Sequence, residues 1–377
     1  MAPLVMDRAG DWAPRRVVVV KPCCIGDVLL ATPLLASLRA AWPGARFDWA
    51  VGNHSRGVLE GQPHVDGLLD ATGCVRGELR VRSIGKLILS MRRGRYDLAV
   101  VPDRSPIVNL LPWLARVPRR VGLDSGGRGW PNTVRVHNEA HERRAEVDVY
   151  LDIARALGVP LAEPRPLFVP TAAHRAEAEE LLGTLGPHRP RVALHVGGGV
   201  NPGMALPEKR WPAERFGQLA GRLAEIGAAV VWLGGPGDTS SAARARATEV
   251  FGLGHASEGD APQVDGCGRL SLGGTAAVVA TCDAYVGSDT GVSHLAVAVG
   301  TSAVVVFGPT DPVRYGPREG AGVAVVAAYD SPFERLRDAR GSTAIEEVTV
   351  DAVWRALQTL LEGGTGPTST KTTMTPI

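Results

Sequence analysis

Residues 17–30 read VVVVKPCCIGDVLL. Four consecutive valines describe a strand buried on both faces, the pattern of a parallel sheet. Gly26 then permits a tight turn, and Asp27 stands where a helix begins, followed by the helical stretch ATPLLASLRAAWPG. Strand, glycine turn and helix in that order open a doubly wound α/β sheet. Asp27 can cap the helix, a role that contributes about 1 kcal/mol. It can also act as a base, because open α/β sheets bind ligands at the carboxyl ends of their strands. A dinucleotide fingerprint is excluded, since a single glycine stands where GxGxxG needs three.

The same rhythm continues outward. RFDWAVG, VDGLLDA and YDLAVVPDR read as strands, and SIGKLILSMRRGR reads as a helix between them. The proline-rich PLAEPRPLFVPTAAH marks a linker near residues 160–172. A second set of strands begins at RVALHVGGG and runs through AAVVWLGGPGD, DAYVGSDTG and SAVVVFGPT. The expected architecture is α/β, with two Rossmann-like domains whose parallel sheets face each other across a cleft. The first domain is expected over residues 1–170 and the second over 171–349. VDAVWRALQTLLEGG gives an amphipathic helix over 350–362, and the Thr/Ser/Pro-rich residues 363–377 read as a disordered tail.

Composition narrows the function classes. Apolar residues at 45% and charged residues at 21% fit a soluble globular chain. No apolar run is long enough to span a membrane, and no apolar segment follows a basic start as in a signal peptide. Five cysteines, two of them adjacent, suggest neither a disulfide framework nor structural zinc, and a cytoplasmic location follows. The net charge of +2 conceals an asymmetry, with +7 over residues 1–170 and −5 over 171–377. The basic half suits an anionic partner carrying phosphate or carboxylate. Nucleic acid is not expected, because the basic residues are not interleaved with aromatics. NLLPWLARVPRR sets apolar beside basic residues, so at most peripheral membrane contact is expected.

Four further turns can carry chemistry. In GSDTGVSH, Asp289, Thr290 and Gly291 lead from a strand into a helix, whose first N–H groups and dipole can hold a diphosphate. Thr290 and Ser293 could add hydroxyl donors, and His294 lies on the first turn. FGPTDP, with Gly308 and Thr310, ends the next strand beside the same site. HVGGGVNPGMALPEKRWP brings Gly198, Gly199 and Lys209 to a strand end, where a lysine neutralises phosphate as a point charge. In LGGPGD, Asp238 suits ribose hydroxyls or a helix cap. Basic candidates for an anionic acceptor include Arg120, Arg128 and Arg143.

Taken in order, VVVVKPCCIGDVLLATPLLASLR, PEKRWPAERFGQLAGRL, LGGPGD, GRLSLGGTAAVVATCDAYVGSDTGVSHLAVAVGT and FGPTDP resemble glycosyltransferase family nine, the ADP-heptose heptosyltransferases of the lipopolysaccharide inner core. The resemblance implies a GT-B architecture, with the acceptor on the N-terminal domain, the nucleotide-sugar on the C-terminal domain, and the final helix packing back toward the first. It implies an inverting, metal-independent glycosyltransferase at the inner face of the membrane, with no cofactor beyond its nucleotide-sugar donor. Asp27 matches the family's base and Lys209 the lysine that binds donor phosphates. Asp238 falls near a ribose contact, and Asp289, Thr290, Gly291 and His294 match the motif holding sugar and diphosphate. Lys21, Cys23 and Cys24 form the acceptor loop; the cysteines replace the small hydroxyl residues the family often has there. Rival readings are a related transferase using another nucleotide-sugar on a small-molecule acceptor, a non-catalytic GT-B protein, and an NAD-dependent oxidoreductase.

Overall fold

A computed structural model describes residues 12–75, 77–139, 142–186, 188–198, 200–252, 262–318, 320–326 and 344–363. The proposed tail over 363–377 lies outside them except for Gly363, and Gly199 lies outside them too. Two compact units are present. The first comprises residues 1–167 with 201–204, and the second 168–200 with 205–377. The division after Leu167 falls inside the proline-rich stretch read as a linker.

The first unit runs β1 (Arg16–Val20), α1 (Ile25–Leu30), α2 (Thr32–Ala41), β2 (Arg46–Val51), α3 (Asn53–Arg56), β3 (Gly67–Asp70), α4 (Val81–Gly94), β4 (Leu98–Val101), α5 (Pro106–Leu114), β5 (Arg119–Asp124), β6 (Val134–His137) and α6 (Glu146–Ala156). Its six strands are parallel in the order β3-β2-β1-β4-β5-β6. The valines of β1 explain its central place, since Val17 to Val20 are all buried between layers of helices. The strand order reverses at β1 and β4, which opens a crevice at their carboxyl ends.

From residue 168 the chain runs α7 (Ala172–Leu182), β7 (Arg191–His195), β8 (Val200–Asn201), β9 (Met204–Ala205), α8 (Ala213–Glu225), β10 (Ala229–Leu233) and α9 (Thr239–Gly252), all in the second unit apart from residues 201–204. It continues with β11 (Gln263–Asp265), α10 (Leu272–Val279), β12 (Ala284–Ser288), α11 (Gly291–Val299), β13 (Ala303–Phe307), α12 (Pro312–Tyr315), β14 (Gly322–Val326), α13 (Ala344–Glu347) and α14 (Val350–Glu362). The parallel order β11-β10-β7-β12-β13-β14 puts the reversal at β7 and β12. The short β8 and β9 pair only with each other.

α14 packs within the second unit, against α8 and β12 to β14. Val353 and Leu357 are fully buried in the same core as Phe216, Leu219, Val304 and Val306. The amphipathic stripe of the helix is thereby covered, and apolar burial of this kind stabilises by about 25 cal/mol per Å². No described helix is long and apolar enough to cross a membrane.

Candidate active site

In the first unit the chain leaves β1 at Lys21 and β4 at Asp103. These strands are adjacent and parallel, so two residues 82 positions apart meet, with Lys21 Nζ 3.0 Å from Asp103 Oδ2. The amide of Ser105 donates to the other Asp103 oxygen at 2.7 Å. Lys21 Nζ also lies 3.9 Å from Asp27 Oδ1. Burial works to lower the Lys21 pKa, but the carboxylates of Asp103 and Asp27 outweigh it and hold the ammonium above its ordinary value. Lys21 is only 8% exposed and already paired, so it is an internal countercharge and not the acceptor contact the sequence suggested.

Asp27 sits in the first turn of α1. Its Oδ1 accepts the Tyr150 hydroxyl at 2.9 Å, and its Oδ2 receives only the long 3.5 Å approach of the Cys24 amide. Tyr150 and Glu146 stand one turn apart on α6 and therefore share a face. Glu146 pairs with Arg104, which also donates to Asn138 at 2.6 Å. Asp27 keeps 31% of its side chain exposed, against 14% for Asp103 and 1% for Glu146. It is the open carboxylate of a paired cluster.

Cys23 and Cys24 are joined by a disulfide bond, which the reading of no disulfide framework did not anticipate. Framework reasoning weighs cysteines that close loops, and two neighbours close none. Both residues are half-buried on the turn before Asp27. Of the basic acceptor candidates, Arg120 is removed, because its guanidinium donates to the carbonyls of Pro131 and Val117 at 2.7 and 2.5 Å. Arg128 and Arg143 are exposed.

In the second unit the turns after β9, β12 and β13 converge. Lys209, closing a 3₁₀ turn over Pro207–Lys209, lies 2.7 Å from Asp289 Oδ2. Thr310 donates to the same oxygen at 2.6 Å, and His294 Nε2 stands 3.9 Å from Oδ1. β12 and β13 are neighbours, which is why Asp289 and Thr310 meet. Thr290 precedes α11 but makes no side-chain cap, so the N–H groups of Gly291 and the first turn keep their capacity for an anion. Ser293 donates to the Ser288 carbonyl at 2.6 Å and Thr290 Oγ1 is buried, so neither hydroxyl is the open donor the sequence suggested.

The remaining candidates brace these turns. Asp238 is 8% exposed, accepts the Gly235 amide at 2.9 Å and lies 3.6 Å from Arg210. Its carboxylate braces the loop that follows β10. Gly198 has φ +114, and a Cβ there would collide with the Thr290 methyl, so glycine is required. Its carbonyl accepts Arg210 Nε at 2.7 Å. A Cβ on Gly308 would meet Ile345 at 2.7 Å. Sequence reasoning missed His195 at the end of β7. Burial pushes its imidazole down to about 4, Asp238 opposing, and its ring stacks on Tyr285.

Comparison with known proteins fits this geometry. The model of glycosyltransferase family 9 (heptosyltransferase) matches residues 84–337. Lipopolysaccharide heptosyltransferase 2 of Escherichia coli K12 is 28% identical over 306 residues, covering 79% of this chain and 84% of that protein. The structure of the family 9 glycosyl transferase from Veillonella parvula superposes with a TM-score of 0.75 at 22% identity, over 93% of this chain and 98% of that one. That of E. coli ADP-heptose lps heptosyltransferase II superposes with a TM-score of 0.72 at 23% identity, over 92% and 99%. The fold is thus that of a GT-B protein, and the family match makes the chain a glycosyltransferase. The chain belongs to glycosyltransferase family 9, the heptosyltransferase family.

Proposed function

We propose that this glycosyltransferase is an inverting heptosyltransferase, moving heptose from ADP-heptose to a hydroxyl of an anionic glycan such as the lipopolysaccharide inner core. The observation that carries the mechanism is the partly exposed Asp27 carboxylate in an otherwise paired cluster. An alcohol is a weak nucleophile, and a positioned carboxylate removing its proton contributes about 10²–10⁴-fold. The acceptor oxygen attacks the anomeric carbon, and the bond to the diphosphate breaks with its electron pair passing to the phosphate oxygen. Lys209 and the first-turn amides of α11 stabilise that growing charge, so the reaction runs without a metal.

Asp289 and Thr310 fix Lys209 for this task. Arg128 and Arg143 supply positive charge for the acceptor. A groove of about 450 Å³ lined by Arg92, Trp113 and Arg116 supports peripheral contact with an anionic surface. Trp113 and its ring partner Trp130 are 45% and 55% exposed. The test is a thermal-shift panel of ADP-, UDP- and GDP-sugars. ADP-heptose is expected to stabilise selectively, since a ligand of the native state raises apparent stability. Selective stabilisation by another nucleotide-sugar overturns the donor assignment.

A further inference from the structure

The mechanism requires Asp27 to present one defined oxygen to the acceptor, yet α1 is only six residues long and supplies little restraint by itself. The restraint comes from α6. Tyr150 is fully buried, and its hydroxyl donates to Asp27 Oδ1 at 2.9 Å across 123 residues of chain. Its ring also lies against Lys21, whose Nζ is 5.6 Å from the ring centroid. Lys21 is itself fixed by Asp103, and the helix carrying Tyr150 is tied at its first residue through Glu146 to Arg104. Oδ1 is therefore held by a hydroxyl and faced by an ammonium. Among the described residues, Oδ2 has only the 3.5 Å amide of Cys24, which is beyond the usual range for an N–H···O bond.

We propose that Tyr150 is the positioning residue of the reaction: it clamps Asp27 by Oδ1 and thereby assigns proton abstraction to Oδ2. The proposal rests on the base role given to Asp27 above. In the step it governs, the acceptor O–H bond breaks and its proton passes to Oδ2. The acceptor oxygen bonds to the anomeric carbon, and the leaving diphosphate takes the electron pair of the broken bond. Asp27 then returns its proton to water. The Tyr150 hydroxyl keeps its own proton throughout and touches neither substrate.

The charged groups around Asp27 are accounted for element by element. Lys21 follows β1, Asp103 and Arg104 follow β4, and Glu146 opens α6. On α3, which also packs on α1, burial lowers His54, and Arg56 lies 3.9 Å from Glu60. On α2, Arg39 is committed to Asp66 at 2.6 Å. Among these, the Tyr150 hydroxyl is the uncharged donor that acts on the ionised form of Asp27. Removing it favours the protonated carboxyl, so activity fails at a higher pH than in the parent.

The test is the pH profile of kcat/KM for Tyr150→Phe in the full chain, with ADP-heptose and a hydroxyl acceptor. The acid limb is expected to move up, kcat to fall about ten- to a hundredfold, and the donor dissociation constant to stay within about twofold. A purely structural role would leave the limb where it is, and an unmoved limb in the folded variant overturns the proposal. Should Tyr150→Phe fail to fold, 3-fluorotyrosine at position 150 keeps the shape with a more acidic hydroxyl. It is expected to move the limb to lower pH, and an unmoved limb again overturns the clamp. Asp27→Asn assayed beside them separates the two readings. An inactive Asp27→Asn with an unmoved Tyr150→Phe limb sinks the clamp alone, whereas an active Asp27→Asn sinks the base assignment and the clamp together.

Discussion

Lys209 stands 2.7 Å from a carboxylate that is itself 5% exposed, and Thr310 donates to the same oxygen. An ammonium so held is pre-oriented for a diphosphate, and stabilising the leaving charge then costs little reorganisation. Lys209→Gln is expected to lower kcat/KM by about ten- to a hundredfold, from the loss of a charge-assisted contact of about 1.5–3 kcal/mol. Calorimetric titration with ADP should show weakened binding in the same variant; unchanged ADP affinity and unchanged kcat/KM would remove Lys209 from the donor site. The places of Asp27, Lys209 and Asp289 were legible in the sequence because each lies at a turn that follows a strand, where local pattern suffices. The partners of Lys21, Asp238 and Ser293 were not. Lys21 meets Asp103 over 82 residues, and that pairing exists only because β1 and β4 are neighbours in the sheet. Tyr150, 123 residues from Asp27, carried no local signal at all.

The strand–turn–helix elements were readable from their periodicity, and the reversals at β1/β4 and β7/β12 then fixed where the turns meet. The exception was α14, whose apolar stripe shows that it must be covered but not by what. β7 contributes a second such element, for it delivers His195 into a site where burial holds the imidazole at about 4 against an ordinary 6.5. A histidine lowered in the native state binds fewer protons there than when unfolded. Its contribution is therefore complete above pH 6.5 and is lost as pH falls toward 4, amounting to roughly 3 kcal/mol at most. Thermal unfolding followed from pH 7 to pH 4 should show this decline in the parent and a flatter one in His195→Gln. Equal slopes in the two proteins would contradict a buried neutral imidazole.

Across the whole chain, charge is divided unevenly, with +7 on residues 1–170 and −5 on 171–377. If the basic half serves an anionic acceptor through exposed groups such as Arg128 and Arg143, the attraction is screened by salt. Raising ionic strength from about 0.01 to 0.15 M, which shortens the screening length from about 30 to 8 Å, should increase the KM for acceptor several-fold more than that for donor. Equal response of both constants would contradict an acceptor held by surface charge. The family and the parallel two-unit fold make the chain a glycosyltransferase, and the proposed chemistry turns on one carboxylate. The most direct measurement is single-turnover transfer of heptose from ADP-heptose by Asp27→Asn, with ADP affinity determined on the same preparation. Transfer should fall by about 10²–10⁴-fold while ADP binds as in the parent, because only the proton acceptor has been removed. Transfer within a few-fold of the parent would contradict the assignment of Asp27 as the base.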